Sequence, residues 1–280
     1  MNKDLITLAE RLTVPLPKEM DHLSSYRIHA NCSGGKDSVA VVLMLLYGYK
    51  VPKENIELVH MRVDADEDAF FDWKETDEYL DYLANKLELP LVILRGEKSL
   101  KARIEDRRKF PSGQTQFCTS YTKRDVYSKW VRGLGPGKFL CASGERAAES
   151  ARRAGKPVFQ VYKAANAPTK NRQVDWLRPI HHLDASAVWE LMRLANIDPH
   201  PCYQYVYRCS CKFCIYLSPQ EMKTVSEMFP EEFQELVRME ESFGHTMRFE
   251  KKEPLSLLDF IKKANDEKGQ LALFELPCMA

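Results

Sequence analysis

The chain is 280 residues long, 44% hydrophobic and 29% charged, so it can bury a substantial core in one or two domains. A net charge of +1 excludes the global field of a strongly basic nucleic-acid binder or a highly acidic disordered protein, although a local basic patch can hide in a neutral total. The longest apolar run, Val39 to Tyr49, is too short to span a bilayer, so no membrane partner is expected.

In chain order, the opening MNKDLITLAERL reads as a short amphipathic helix and not as a signal peptide, which points to the cytoplasm. Tyr26–Asn31 is the first expected strand. Val39–Tyr47 is a helix apolar nearly all round, with Gly48 placed to end it in the left-handed conformation. Ile56–Val63 is the next strand, followed by a helix through Trp73–Leu87, and Leu91–Leu94 and Lys138–Ala142 are further strands. This alternation predicts an α/β fold, a parallel sheet flanked by helices. Asp184–Ala195 is a helix that Asp184 can cap. Ser218-Pro219-Gln220-Glu221 is a capping box with proline at the first helical position. Pro230–Phe243, ended by Gly244, and Ser256–Asn265 complete a helical C-terminal appendage. The expected division is 1–23, an N-terminal helical segment; 24–215, the α/β domain; and 216–280, the appendage.

Between the first strand and its helix stands Ser33-Gly34-Gly35-Lys36-Asp37-Ser38. Two consecutive glycines let the backbone approach a ligand, and the helix start offers unpaired N–H groups and the positive end of its dipole to an anion. Ser33 and Ser38 add hydroxyls, and Lys36 adds a mobile positive charge. The spacing is not that of a Walker A loop, and the third glycine of a dinucleotide fingerprint is missing.

The hexapeptide matches the PP-loop of ATP pyrophosphatases, and from about residue 24 to 218 the chain resembles the phosphoadenosine-phosphosulfate (PAPS) reductase-like branch of that family. The resemblance implies the adenine nucleotide alpha-hydrolase-like fold. A second matching element is Gly144-Glu145-Arg146-Ala147-Ala148-Glu149-Ser150-Ala151-Arg152-Arg153, which fits the family's Gly-x-Arg, Glu-Ser, Arg pattern after a central strand. Arg146 and Arg152 are suited to grip phosphate oxygens as guanidinium forks. The others are Trp176-Leu177-Arg178-Pro179-Ile180, leading to Ala187-Val188-Trp189, and His200-Pro201-Cys202-Tyr203, then Arg208. Asp64 and Asp66 stand where the family often carries an acidic residue near the adenosine; either could instead cap the next helix.

Four of eight cysteines fall between Cys202 and Cys214, a clustering that calls for metal or thiol chemistry. Cys211-x-x-Cys214 lets two thiolates reach one centre. Cys118 matches the upstream cysteine of cluster-bearing family members, and the fourth ligand is Cys202 or Cys209, with Cys202 preferred for its longer loop. The resemblance implies a 4Fe–4S cluster; zinc competes, because four thiolates satisfy it equally. Cys32 and Cys141 read as small buried side chains.

Three functions follow. The first is sulfur transfer to an acceptor such as a nucleic acid, with ATP cleaved to AMP and pyrophosphate with Mg2+, and sulfur supplied by a donor such as a cysteine desulfurase. In it Lys36, Asp37, Arg146 and Arg152 are catalytic, while Ser33 to Ser38, Asp64, Gly144, Glu149 and Ser150 hold the nucleotide. The second is thiol-dependent reduction of PAPS or adenosine phosphosulfate, for which Cys278 is a candidate nucleophile, although its surroundings lack the family's Gly-x-His. The third is a nucleotide- and cluster-binding redox sensor. The basic residues Lys101, Arg103, Arg107, Arg108, Lys109, Lys123, Arg124, Arg152 and Arg153 are a candidate surface for a polynucleotide or sulfated nucleotide.

Overall fold

The computed structural model describes residues 2–264, in two compact units. One comprises the chain up to His60 with residues 75–94 and 127–200; the other comprises 61–74, 95–126 and the chain from Pro201 onward.

The first unit is built on a six-stranded sheet: β1 (Arg27–Asn31), β2 (Ile56–Arg62), β3 (Leu91–Arg95), β4 (Gly137–Ala142), β5 (Phe159–Val161) and β6 (Arg172–Leu177), in the order β3-β2-β1-β4-β6-β5. β1 is parallel to β2 and to β4, with Ile28 opposite Ile56 and Leu140. β4 and β6 are also parallel, whereas the short edge strand β5 runs antiparallel to β6. The expected sheet is therefore parallel except at this edge. The link from Val161 to Arg172 holds only a short 3-10 turn at Pro168–Lys170, and a parallel return needs a longer crossover.

Side chains alternate across the sheet. Ile28, Ala30, Leu140 and Ala142 join one buried cluster with the helices Lys3–Leu12, Lys36–Leu43, Thr76–Leu87 and Ala185–Leu194. The opposite face carries His29, Phe139 and Cys141 against the helix Asp125–Gly133. There the His29 ring lies 4.6 Å from Trp130 and stacks on Phe139 at 5.5 Å, with Nδ1 2.9 Å from the Tyr127 hydroxyl.

Burial, helped by the charge of Arg27, depresses the pKa of His29 to about 3, and burial, helped by His60, depresses that of His200 to about 4. Unfolded histidine titrates near ~6.5, so the unfolded chain binds more protons below that pH and the folded state loses stability as pH falls toward these values. The urea midpoint is expected to drop steadily from pH 7 to pH 4, and the slope to flatten in His29→Gln. A midpoint level over that range, or an unchanged slope in the variant, would contradict this.

The helix Lys36–Leu43 continues as a π turn, Met44–Gly48. Gly48 does not adopt the expected left-handed conformation; Lys50 does, with φ 54°. The glycine serves packing instead. A Cβ there would lie 2.5 Å from Thr13 Oγ1 and 3.1 Å from the Ala9 carbonyl oxygen, so the N-terminal helix could not approach.

The second unit holds the helices Leu100–Arg107, Phe117–Thr119, Pro219–Met228, Pro230–Phe243 and Leu257–Ile261, with a hairpin of β7 (Arg248–Glu250) and β8 (Glu253–Leu255). The capping box is present: Ser218 Oγ accepts from the Glu221 N–H at 3.2 Å, and the Glu221 carboxylate accepts from the Ser218 N–H at 2.8 Å. Gly244 is left-handed, as expected, at φ 61°. Buried Glu240 accepts N–H groups from Met247 and Leu257, tying the hairpin and the last helix to Pro230–Phe243. Among the described residues no helix is long and apolar enough to cross a membrane.

Candidate active site

In the first unit, β1 has β2 on one side and β4 on the other, so strand order reverses between β1 and β4. Such a point opens a crevice at the carboxyl ends of the strands, where ligands gather. Residues 32–35 leave β1 there, and residues 143–146 leave β4 beside them.

Gly34 has φ +78°, and a Cβ on it would lie 2.8 Å from the His200 ring and 3.0 Å from Tyr79. Only glycine fits both constraints. Those neighbours are fixed in turn: His200 Nε2 lies 3.2 Å from the Thr76 hydroxyl, and the Tyr79 hydroxyl donates to the Asp198 carbonyl at 2.5 Å. Gly35 is the N-cap of Lys36–Leu43 and supplies no side-chain cap, and its carbonyl accepts the Ser38 and Val39 N–H groups at 2.9 and 3.1 Å; the helix start is the end whose dipole favours an anion. Ser38 Oγ donates to the Gly35 carbonyl at 2.7 Å and so holds the turn together from within.

Asp37 lies between two cations. Arg146 Nε donates to its Oδ1 at 2.6 Å, and Lys36 Nζ donates to its Oδ2 at 3.0 Å. Arg146 and Lys36 are both buried, and the ammonium lies 5.9 Å from the centre of the Trp189 ring. Lys36 is thus a fixed charge and not the mobile one expected. Gly144 permits this closeness: its Cβ would meet the Asp37 backbone carbon and oxygen at 2.9 Å. The sequence alone missed what holds the loop after β4. Glu145 is bonded by Arg178 and Lys156, and Arg178 is fully buried over Trp176, 4.3 Å from the ring centre. Burial would raise the Glu145 pKa, but its bonds to Lys156 and Arg178 outweigh that and hold the carboxyl below its ordinary value. Glu145 and Arg178 stand inside quoted motifs, yet nothing in sequence marks them as partners.

Glu149 accepts from the Arg146 N–H at 2.9 Å and pairs with Arg153, while Ser150 Oγ caps the helix Ala151–Ala154 at the Arg153 N–H, 3.2 Å away. Both shape the loop that carries Arg146, and Arg152 is exposed.

Asp64 belongs to the second unit and is wholly buried. Its Oδ2 accepts N–H bonds from Phe70, Phe71 and Asp72 at 2.8, 2.7 and 2.7 Å, and Asp72 returns the pattern to Val63 and Asp64. Burial, helped by the Asp72 charge, pushes its pKa up to about 6. An adenosine contact from this side chain would have to break a loop-closing network. Asp66 pairs with Arg95 at 3.1 Å.

The second unit also carries the cysteine loop. Within Cys211-Lys212-Phe213-Cys214 the two central residues are the anchors. The Lys212 N–H donates to the Phe71 carbonyl at 2.7 Å, its ammonium reaches Glu232 at 3.2 Å, and Phe213 packs between Phe70 and Phe233. Cys211, Cys214 and Cys118 all act electrostatically on half-buried Lys123, together with Asp72. Burial raises the Cys211 and Cys214 thiols, with Lys123 opposing it at both. The chemistry of this set suits a thiolate-held centre, because one ammonium offsets part of the charge that metal-bound thiolates carry, but its three sulfurs do not all lie within 4.8 Å of one another. Cys202 is fully buried and Cys209 partly exposed, their sulfurs within 4.8 Å of each other. Cys278 lies outside the described residues.

A sheet with this switch point, a glycine-rich turn opening a helix beside it and a buried arginine from the adjacent loop define an α/β fold of the PP-loop, adenine nucleotide alpha-hydrolase-like kind. The chain belongs to the phosphoadenosine phosphosulfate reductase domain family, which it matches over residues 27–210. It is 25% identical over 248 residues to an uncharacterised protein of Methanocaldococcus jannaschii, an alignment taking in 87% of this chain and 56% of that protein, so it spans just over half of that relative's length. Among solved structures it is similar to the U34-tRNA thiolase NcsA from Methanococcus maripaludis with its 4Fe-4S cluster (TM-score 0.48, 14% identity, 86% of this chain and 76% of that one). It is also similar to Candida glabrata FMN adenylyltransferase (TM-score 0.47, 14% identity, 73% and 61%) and to the phosphoadenylyl-sulfate reductase of Candida auris (TM-score 0.42, 11% identity, 67% and 91%).

Proposed function

We propose that the chain is an ATP-dependent sulfur-transfer enzyme that cleaves ATP to AMP and pyrophosphate at the crevice between β1 and β4. The observation that carries this reading is the sharing of the Asp37 carboxylate by Arg146 and Lys36 at a helix start without a side-chain cap. Asp37 holds both cations oriented before an anion arrives, so little reorganisation remains when charge develops. The acceptor's oxygen attacks the α-phosphorus, the bond to the β-phosphate oxygen breaks, and pyrophosphate departs with the electron pair. The positive end of the helix dipole and the Lys36 ammonium stabilise that leaving charge, and Arg146 and exposed Arg152 steady the remaining phosphate oxygens. Hydrosulfide, or the terminal sulfur of a persulfide donor such as a cysteine desulfurase, then attacks the carbon bearing the adenylated oxygen, the C–O bond breaks and AMP leaves with the electron pair. With a persulfide, a thiol co-reductant cleaves the remaining S–S bond and is itself oxidised to a disulfide. A 4Fe–4S cluster held by Cys118, Cys202, Cys211 and Cys214 would supply a site at which incoming sulfur is bound.

The test is product analysis with anaerobically purified protein, ATP, Mg2+, hydrosulfide and an RNA acceptor, with PAPS and a dithiol supplied in a parallel reaction. AMP and pyrophosphate are expected in equal amounts, with kcat/KM falling roughly 100- to 1,000-fold in Arg146→Ala, the scale for removing one preorganised donor. Sulfite released from PAPS with no AMP formed from ATP would overturn this in favour of a reductase.

A further inference from the structure

From Arg95 to Val126 the chain carries nine lysines and arginines against four acidic residues, while its total is only +1. All of this segment lies in the second unit, where it forms a ridge beside the cysteine loop. The Arg103 guanidinium lies 4.9 Å over the Tyr121 ring, and that of Arg107 lies 4.8 Å over Phe117, with Nη1 3.3 Å from the Tyr121 hydroxyl. Arg124 donates to Ser120 Oγ at 2.6 Å, one helical turn before it. Gln116 extends the ridge by donating to the Tyr216 hydroxyl. Tyr216 is 56% exposed, and its N–H is directed at the Cys214 sulfur, which also feels the charge of exposed Arg208. One continuous set of contacts thus joins stacked arginines, an exposed aromatic face and the segments holding Cys118 and Cys214.

We propose that this ridge docks a single-stranded nucleic acid. Its phosphates meet the guanidinium forks of Arg103, Arg107, Arg124 and Arg208, and a base stacks on Tyr216. Stacking on aromatic rings holds Arg103 and Arg107 extended, so less side-chain freedom is lost on binding a phosphate. An acidic peptide would satisfy the arginines but has no base to lay on Tyr216, and a duplex keeps its bases stacked within itself; alternating cations and an open aromatic face fit an unpaired strand. The surface deepens the sulfur-transfer reading by naming the acceptor class, and rests on that reading for the chemistry but not for the binding.

The test is fluorescence anisotropy of a labelled mixed-sequence 20-nucleotide RNA with the full chain, over a salt series. Binding is expected to weaken log-linearly with salt, with a slope of about −0.7 per phosphate contact. Arg107→Glu and Tyr216→Ala are each expected to weaken it by about tenfold or more, while Tyr216→Phe, which keeps the ring, retains it. Thermal melts check that the variants are folded, and ATP cleavage is read in parallel. Equal binding of a poly-glutamate peptide or of duplex RNA, or indifference to both substitutions, would overturn the docking proposal even if ATP is cleaved normally. RNA binding with this profile but no AMP formation would instead leave the ridge standing and remove the sulfur-transfer reading.

Discussion

Replacing Gly144 with alanine is expected to lower kcat/KM for ATP cleavage by roughly 10- to 100-fold while leaving the protein folded, because misplacing a reacting group by about 1 Å costs on that scale. The added methyl would stand 2.9 Å from the carbonyl carbon and oxygen of Asp37 and 3.1 Å from its Cβ. Two of those atoms are backbone in the first turn of a buried helix, so no flexible side chain can swing aside. The loop after β4 or the turn after β1 must move by several tenths of an ångström, and either shift separates Arg146 from Asp37. The stability cost of such overpacking is about 1–3 kcal/mol, readable as a lower unfolding midpoint.

Gly133→Ala is the control, since a Cβ there meets nothing within 4 Å at the end of the helix Asp125–Gly133. It is expected to leave turnover unchanged and stability level or slightly higher. Steady-state kinetics on both variants, with melts alongside, separates site geometry from general damage. Wild-type turnover in folded Gly144→Ala protein would mean that the approach of the two loops does not position the reacting groups.

How much of this was legible in the sequence depends on the range of the interaction. The strand, glycine turn and helix around Ser33–Ser38 were readable because the period change and both glycines lie within one short stretch. The Ser218–Glu221 capping box and the Gly244 stop were readable for the same reason. The Arg146–Asp37 pair was not, because its members are 109 residues apart and meet only when β1 and β4 become neighbours. The resemblance named both residues without showing that they touch. Asp64 shows a different limit: an acid after a strand looks alike whether it faces a ligand or accepts the amides of residues 70–72, and only the returning loop decides. Gly48 fits both a left-handed cap and a close approach, and Thr13 and Ala9, about 35 residues earlier, settle which. β5 was passed over because three residues, Phe159–Val161, are too few to show a period.

Serine in place of Cys118, Cys211 or Cys214 is expected to remove most of the metal and sulfide that anaerobically purified protein holds, with little change in fold. Serine keeps the size of the side chain and loses the soft thiolate that iron–sulfur clusters and zinc both require. The C-x-x-C loop should keep its shape in these variants, since it is fixed by Lys212, Phe213 and the bond to Phe71, not by the cysteines themselves. Cys141→Ser is the control: that thiol lies in the first unit, buried in β4, and burial pushes its pKa up to about 12, so it has no tendency to ligate. The fourth position is decided by comparing Cys202→Ser with Cys209→Ser. Their sulfurs are within 4.8 Å of each other, so both are candidates for one centre, but Cys202 is fully buried and a cluster shielded from water favours it. The expected result is about four irons and matching sulfide in the wild type, near-complete loss in Cys202→Ser, and retention in Cys209→Ser. The reverse pattern would move the ligand to Cys209. Colourless protein with one zinc would replace the cluster but keep the thiolates, and wild-type protein with neither metal would remove the site.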